Sequence, residues 1–212
     1  MRDHSQCAES FMPHDFVYLA SQSPRRRQLL TQLGVRHELL LADAHEDAES
    51  LEAEIKGEAP HDYVHRVTLA KLDAAKKRRK HRGLAPSPIL CSDTTVAIGR
   101  RILGKPADAD DAFNTLSMLS GRTHRVITGV AVAWGRRQEI LVNVSKVHFA
   151  PVSEQEIRRY IDGGEPFGKA GAYAIQSTAS AWISRIEGSY SGIMGLPLYE
   201  TAQLMKQAKV RF

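Results

Sequence analysis

Apolar positions along the chain fall into short runs and helical stripes that alternate repeatedly. FVYLA at Phe16 to Ala20 reads as a buried strand, SQSP as a tight turn, and Arg25 to Leu33 as a helix closed by Gly34. HELLL makes a second strand, followed by an acidic, loop-like stretch from Asp43 to Pro60. A helix then starts near Asp62 and runs to about Lys80, with Val64, Val67, Thr68, Lys71, Leu72 and Ala75 on one stripe. The period turns Lys71 inward.

PILCSDTTVAIG is a strand interrupted by polar residues, and GRR turns it into ILGKP. Asp108 caps a helix that runs through Leu119 and ends at Gly121. Two long strand segments, Thr123 to Trp134 and Gln138 to Ala150, flank a turn at Gly135 and Arg136 and read as a hairpin. Ser153 and Glu156 form a capping box for a helix stopping at Gly163 and Gly164. The loop EPFGKAGAYAIQ, the strand SAWISRI, the glycine-rich GSYSGIMG and a last helix from Pro197 complete the chain. The hairpin rules out a purely parallel sheet, so the expected fold is α/β, a mixed twisted sheet with flanking helices.

Composition narrows the class. With 212 residues, 42% apolar and 25% charged, the chain fits one domain over residues 16 to 212, foldable as two lobes around a central cleft. Residues 1 to 15 are polar and unpatterned and read as a loose extension, with Met12 an alternative start. No apolar run approaches the roughly 20 residues that cross a bilayer. The leader MRDHSQCAESFMPHD lacks a signal peptide's apolar core, so a cytoplasmic protein without a membrane partner is expected. Cys7 and Cys91 support neither a disulfide framework nor a zinc knuckle, and Cys91 reads as a buried reduced thiol. The net charge of +5 suits an anionic partner. Much of the excess lies in KKRRKHR at Lys76 to Arg82, which reads as a solvated helix tail complementing the dipole. No aromatic residues interleave with it, so nucleic acid is not the expected partner.

Two segments carry the chemistry. In LASQSPRRRQLL a strand feeds a turn where Ser23 can cap, Pro24 occupies the first helical position, and Arg25 and Arg26 follow. Free helix N–H groups, the hydroxyls of Ser21 and Ser23 and two forked cations suit phosphate oxygens, although an ordinary capped helix has the same beginning. In SDTTV, Asp93 sits mid-strand, where burial is costly without a cation or hydrogen bonds. It can hold a divalent cation, take a proton from water, or bond a nearby turn as a structural residue. Lys71, Lys105 in the GKP turn and Lys169 in a glycine-rich loop add cations beside turns or on an inward face.

Two lookalikes fail. GGEPFGKA has Walker A spacing, but Ala170 replaces the magnesium-binding hydroxyl and a helix precedes it. His61 and His65 share a helix face without the glutamate or third ligand of a zinc site.

Five ordered blocks, LASQSPRR, SDTTV with GKP, LSGRTHRVITGVA, EPFGKAGAYAIQ and IEGSYSGIMGLPLYET, together resemble the Maf family across about Val17 to Leu204. That resemblance implies an inosine-triphosphatase-like fold, a nucleoside triphosphate substrate cleaved to monophosphate and pyrophosphate, a divalent metal (Mg or Mn) and a homodimer. It implies Asp93 as proton acceptor, Ser23, Arg26, Lys71 and Lys105 as triphosphate-handling groups, and Glu46 on the metal side, to which the residues' own chemistry adds Ser21 for phosphate and Asp93 for the metal. Arg25, Thr94 and Gln176 match residues of the branch acting on dTTP and UTP. The 7-methyl-GTP branch differs in the KAGAYAIQ loop. A non-catalytic nucleotide-sensing or nucleic-acid-binding regulator of cell division is the alternative of another class. Gly168, Ser177 and His45 depart from the family pattern, where an aspartate, a glycine and a second acid are usual.

Overall fold

The computed structural model describes residues 13–43, 45–47 and 50–212. Cys7, Met12 and most of the polar leader lie outside them. The end of that leader is pinned rather than loose. His14 forms a parallel bridge with Val210, and Asp15 Oδ1 accepts from Arg211 at 3.0 Å.

One seven-stranded mixed sheet organises the chain. Its order is β2 (His37–Leu39), β1 (Val17–Leu19), β3 (Ile89–Ile98), β5 (Thr123–Trp134), β6 (Arg137–Phe149) and β7 (Ile183–Glu187), with β4 (Arg101–Leu103) paired to β3. The β2, β1 and β3 strands run parallel, while β3, β5, β6 and β7 alternate in direction. The expected hairpin is β5 and β6, turning at Gly135 and Arg136. SAWISRI begins later than its pattern suggests, because Thr178–Trp182 winds into a 3₁₀ turn before β7.

Alternation along β3 sorts its residues to two layers. Ile89 and Cys91 pack with Leu72 and Ala75 of α2 (Pro60–His81), whereas Leu90 packs with Leu29 and Leu30 of α1 (Pro24–Gln32) and Leu204 of α6 (Leu198–Gln207). The glycine-rich GSYSGIMG adds α5 (Tyr190–Met194), a short helix that its glycines conceal in the sequence. A third core gathers α3 (Ala109–Leu119), α4 (Glu154–Asp162) and the ends of β5 and β6. Ser153 and Glu156 form the expected capping box, and Asp108 accepts from Asp111 N at 2.8 Å.

Close approach of α2 to the sheet depends on one glycine. A Cβ at Gly129 of β5 would lie 2.4 Å from Thr68 Oγ1, inside any allowed contact. Thr68 Oγ1 is in turn spent on Val64 O at 2.6 Å, so it cannot swing away without losing that bond. The helix thus sits low enough for Lys71 to reach β3.

Candidate active site

A gap in the sheet makes the site. On one edge of β3, β1 pairs only as far as Leu90, and β4 begins pairing at Val96; β5 covers the opposite edge throughout. Between those partners, Cys91 to Thr95 present a free edge. The turn after β1, Ser21 to Arg26, passes this opening. A cavity of about 870 Å³ lies there, bounded by that turn, by the 43–54 segment, by Lys71, Asp93 and Lys105, and by the loop from Phe167 to Gln176. Because the edge is open, residues from both faces of β3 border one space.

On the α2 face, Asp93 is buried, its side chain 9% exposed, and its Oδ1 accepts from Lys71 Nζ at 2.6 Å. Glu52 Oε1 accepts from the same ammonium at 2.7 Å, and Glu52 Oε2 accepts from Lys105 Nζ at 2.9 Å. Burial works against the Glu52 charge, but Lys71 and then Lys105 outweigh it and hold the carboxyl below its ordinary value. Lys105 is 52% exposed, so its pair is screened and contributes little to stability. Two carboxylates therefore meet at one lysine, against the wall of the cavity.

On the opposite face of β3, Arg26 takes neutral acceptors. Its Nε donates to Gly195 O at 2.8 Å, Nη1 to Ser21 Oγ at 3.3 Å and Nη2 to Thr94 Oγ1 at 3.2 Å. Ser23 caps α1, its Oγ accepting from Arg26 N at 3.5 Å. Arg25 borders the same space and carries no ion pair among the described residues. Gln176 is exposed on the cavity's far side, at the end of a loop braced from behind. There Gly171, at φ +70°, packs so closely on Val96 that a Cβ would lie 2.9 Å from it, and Tyr173 bonds His124 Nε2 at 2.7 Å. Burial raises the Tyr173 pKa, so the phenol stays protonated.

Glu46, expected on the metal side, borders the cavity but is paired with Arg78. Both its oxygens accept from Arg78, Oε1 from Nε at 2.7 Å and Oε2 from Nη2 at 2.6 Å. This fork, helped by Asp43 N–H, holds the Glu46 carboxyl down to about 2. Glu52 is the acid that instead reaches Lys71 and Asp93. A 3₁₀ turn at Ser50–Glu52 and the bond from Tyr63 Oη to Glu52 O, 2.8 Å, aim it there. An inward Lys71 demanded an acid; the sequence offered several in one aperiodic stretch.

The basic run is a solvated tail only in part: Lys77, Lys80 and His81 are exposed, whereas its arginines are engaged. Arg78 is buried, its side chain 7% exposed, and also donates to Leu40 O at 2.9 Å. Arg79 donates to Ser87 O, and Arg82 to Leu41 O and Asp43. Arg78 falls seven residues after Lys71, two turns along the same helical face. The arginines fasten the acidic segment to α2, and Arg66, bonded to Ala53 O and Glu58, fastens its other end. Cys91 is fully buried and burial pushes its thiol up to about 12, as expected of an inert thiol.

The family model described as Maf-like protein matches residues 16–208. The chain belongs to the Maf family. Curated relatives of this Maf chain include proteins named dTTP/UTP pyrophosphatase from three bacteria. That of Cupriavidus pinatubonensis is 59% identical across 94% of this chain and 100% of its own length. The protein of Albidiferax ferrireducens is 60% identical across 91% and 96% respectively. The one from Cupriavidus metallidurans is 61% identical across 92% and 98%. No helix among the described residues of the Maf chain is long and apolar enough to cross a membrane.

Proposed function

We propose that this Maf chain hydrolyses dTTP and UTP to the nucleoside monophosphate and pyrophosphate. One observation carries the reading: Asp93 and Glu52 converge on Lys71 in a cavity whose other wall is the cationic Ser21–Arg26 turn. The names borne by relatives about 60% identical over nearly the whole chain supply the nucleotides.

Asp93 Oδ1 is held by Lys71, and Oδ2 has no hydrogen bond among the described residues, leaving it to accept a proton. In the proposed reaction, water loses that proton to Asp93 as its oxygen bonds to the α-phosphorus. The bond from that phosphorus to the bridging oxygen breaks, and pyrophosphate leaves with the electron pair. A positioned base of this kind contributes about 10² to 10⁴-fold. Arg26 and the hydroxyls of Ser21 and Ser23 take phosphate oxygens, Lys71 and Lys105 take charge near the scissile bond, and Arg25, Thr94 and Gln176 discriminate the base.

The donor set also fits a divalent cation. Two hard carboxylates on the wall of the cavity match the oxygen donors that magnesium or manganese prefers. Asp93 and Glu52 would hold the ion, and its chemistry is neutralisation of charge on the polyphosphate. With Asp93 and Glu52 holding such an ion, Lys71 would be free to take phosphate oxygens.

Pyrophosphate release measured over dTTP, UTP, CTP, GTP and 7-methyl-GTP with magnesium tests the reading. Release is expected with dTTP and UTP foremost, and Asp93→Asn should lose at least about 10²-fold of it. Preference for 7-methyl-GTP would move the chain to that substrate, and binding without release would make it a nucleotide sensor. Stapling of Arg78, Arg79 and Arg82 to backbone and carboxylates removes much of the basic surface a nucleic-acid-binding regulator would use.

A further inference from the structure

Charge is unevenly compensated around the cavity. Lys71 and Lys105 are matched by Asp93 and Glu52, and Arg78 and Arg82 by Glu46 and Asp43. Three cations on the opposite side make no ion pair among the described residues, although Asp93 and Glu52 act on Arg26 from farther off. Arg26 ends on neutral oxygens, and Arg25 has no partner among the described residues. Lys169, on the 165–176 loop, donates to a backbone carbonyl, that of Glu165, rather than to a carboxylate. Glu165 offsets part of its charge, but the Glu165 carboxylate itself accepts from Thr178 Oγ1 at 2.5 Å. Lys169 and Arg25 border the same space from different elements and repel one another.

Like charges gathered without counter-charge are tolerated where an anion arrives to bridge them. A uracil or thymine ring is neutral and cannot serve. A polyphosphate carries several formal charges and can. We propose that Lys169 is a phosphate-binding residue which, with Arg25, clamps the triphosphate between the 165–176 loop and the start of α1, so that Arg25 holds the polyphosphate in addition to bordering the base. The ion-paired Lys71 and Lys105 then serve the reacting end, and Arg25, Arg26 and Lys169, which make no ion pair among the described residues, supply net attraction. This assignment rests on the triphosphate reading of the site, and it gives the loop that carries Gln176 a second, charge-based hold on the same substrate.

Binding of inorganic tripolyphosphate with magnesium, followed by the shift in melting temperature of the full chain, isolates the charge contribution from the base. Lys169→Met should raise the half-saturating concentration about tenfold, the usual worth of one charge-assisted bond. Lys169→Arg should restore it, and Lys77→Met on the exposed side of α2 should leave it unchanged. Without ligand, Lys169→Met should melt no lower than the wild type, because it removes a repulsion. If Lys169→Met fails to fold, Arg25→Gln is expected to give the same tenfold loss. Half-saturation unchanged in Lys169→Met, or a wild type that does not bind tripolyphosphate, overturns the clamp. Tripolyphosphate binding that weakens as expected, in a chain releasing no pyrophosphate from dTTP or UTP, would leave the clamp standing and remove the hydrolytic reading alone.

Discussion

Acid should weaken this fold through one histidine. His124 of β5 is 1% exposed, wedged edge-on against Phe149 and Tyr173 at centroid distances of 5.0 and 5.4 Å, and its Nδ1 has no hydrogen-bond partner among the described residues. Burial, reinforced by nearby His148, lowers its pKa from 6.5 to about 4. In the folded chain the ring therefore stays neutral down to about pH 4, whereas the unfolded chain protonates it near 6.5. The unfolded state binds more protons throughout that interval, so stability must rise with pH across it. The contribution is complete above pH 6.5 and is lost as pH falls toward 4. At about 1.4 kcal/mol per pH unit, the loss approaches about 3 kcal/mol, a large part of the 5–15 kcal/mol typical of a domain. Urea unfolding at half-unit steps from pH 7 to 5 reads most of this directly, above the ordinary value near 4.5 at which Glu46 of the unfolded chain takes up its proton. His14 is also lowered by burial, so the measured quantity is the difference between wild type and His124→Gln. That variant keeps a hydrogen-bonding group for Tyr173 and does not titrate. Parallel pH profiles in the two proteins would refute the reasoning.

The two acids of the 43–54 segment should separate cleanly. Glu52→Gln is expected to raise the magnesium concentration for half-maximal activity at least about tenfold, while Glu46→Gln leaves it unchanged and lowers stability by about 1–3 kcal/mol through loss of the Arg78 fork. Magnesium titrations and urea midpoints check both, and the reverse pattern would return Glu46 to the metal side. Gly129→Ala should cost about 1–3 kcal/mol by forcing α2 off β5, and because Lys71 rides on α2, turnover should fall in variants that remain folded at the assay temperature. Undiminished thermal stability in Gly129→Ala would show that α2 can shift without strain.

Period and punctuation determine most of the fold here. The α2 stripe, the Ser23–Pro24 start of α1, the Ser153 capping box and the β5–β6 hairpin are local statements, each settled within a few residues, and each stands in the structure where its pattern puts it. Even Arg78 was legible in principle, since extending the stripe from Lys71 by seven residues lands on it. Chain chemistry also singles out Asp93, because an aspartate within ILCSDTTV has to meet a cation somewhere.

Which acid shares that cation is a different kind of fact. Glu46, Asp47, Glu52, Glu54 and Glu58 lie in a stretch without periodicity, so nothing local ranks them; the Arg78 fork and the 3₁₀ turn at Ser50–Glu52 choose between them through contacts 19 to 32 residues away. The opening itself is also beyond sequence. It exists because β1 and β4 pair with the same edge of β3 and stop short of each other, leaving Cys91 to Thr95 bare. Strand identity follows from side-chain alternation, but where pairing ends depends on how separate strands meet in space, and that is what lets Asp93 and Thr94, on opposite faces of one strand, border one cavity.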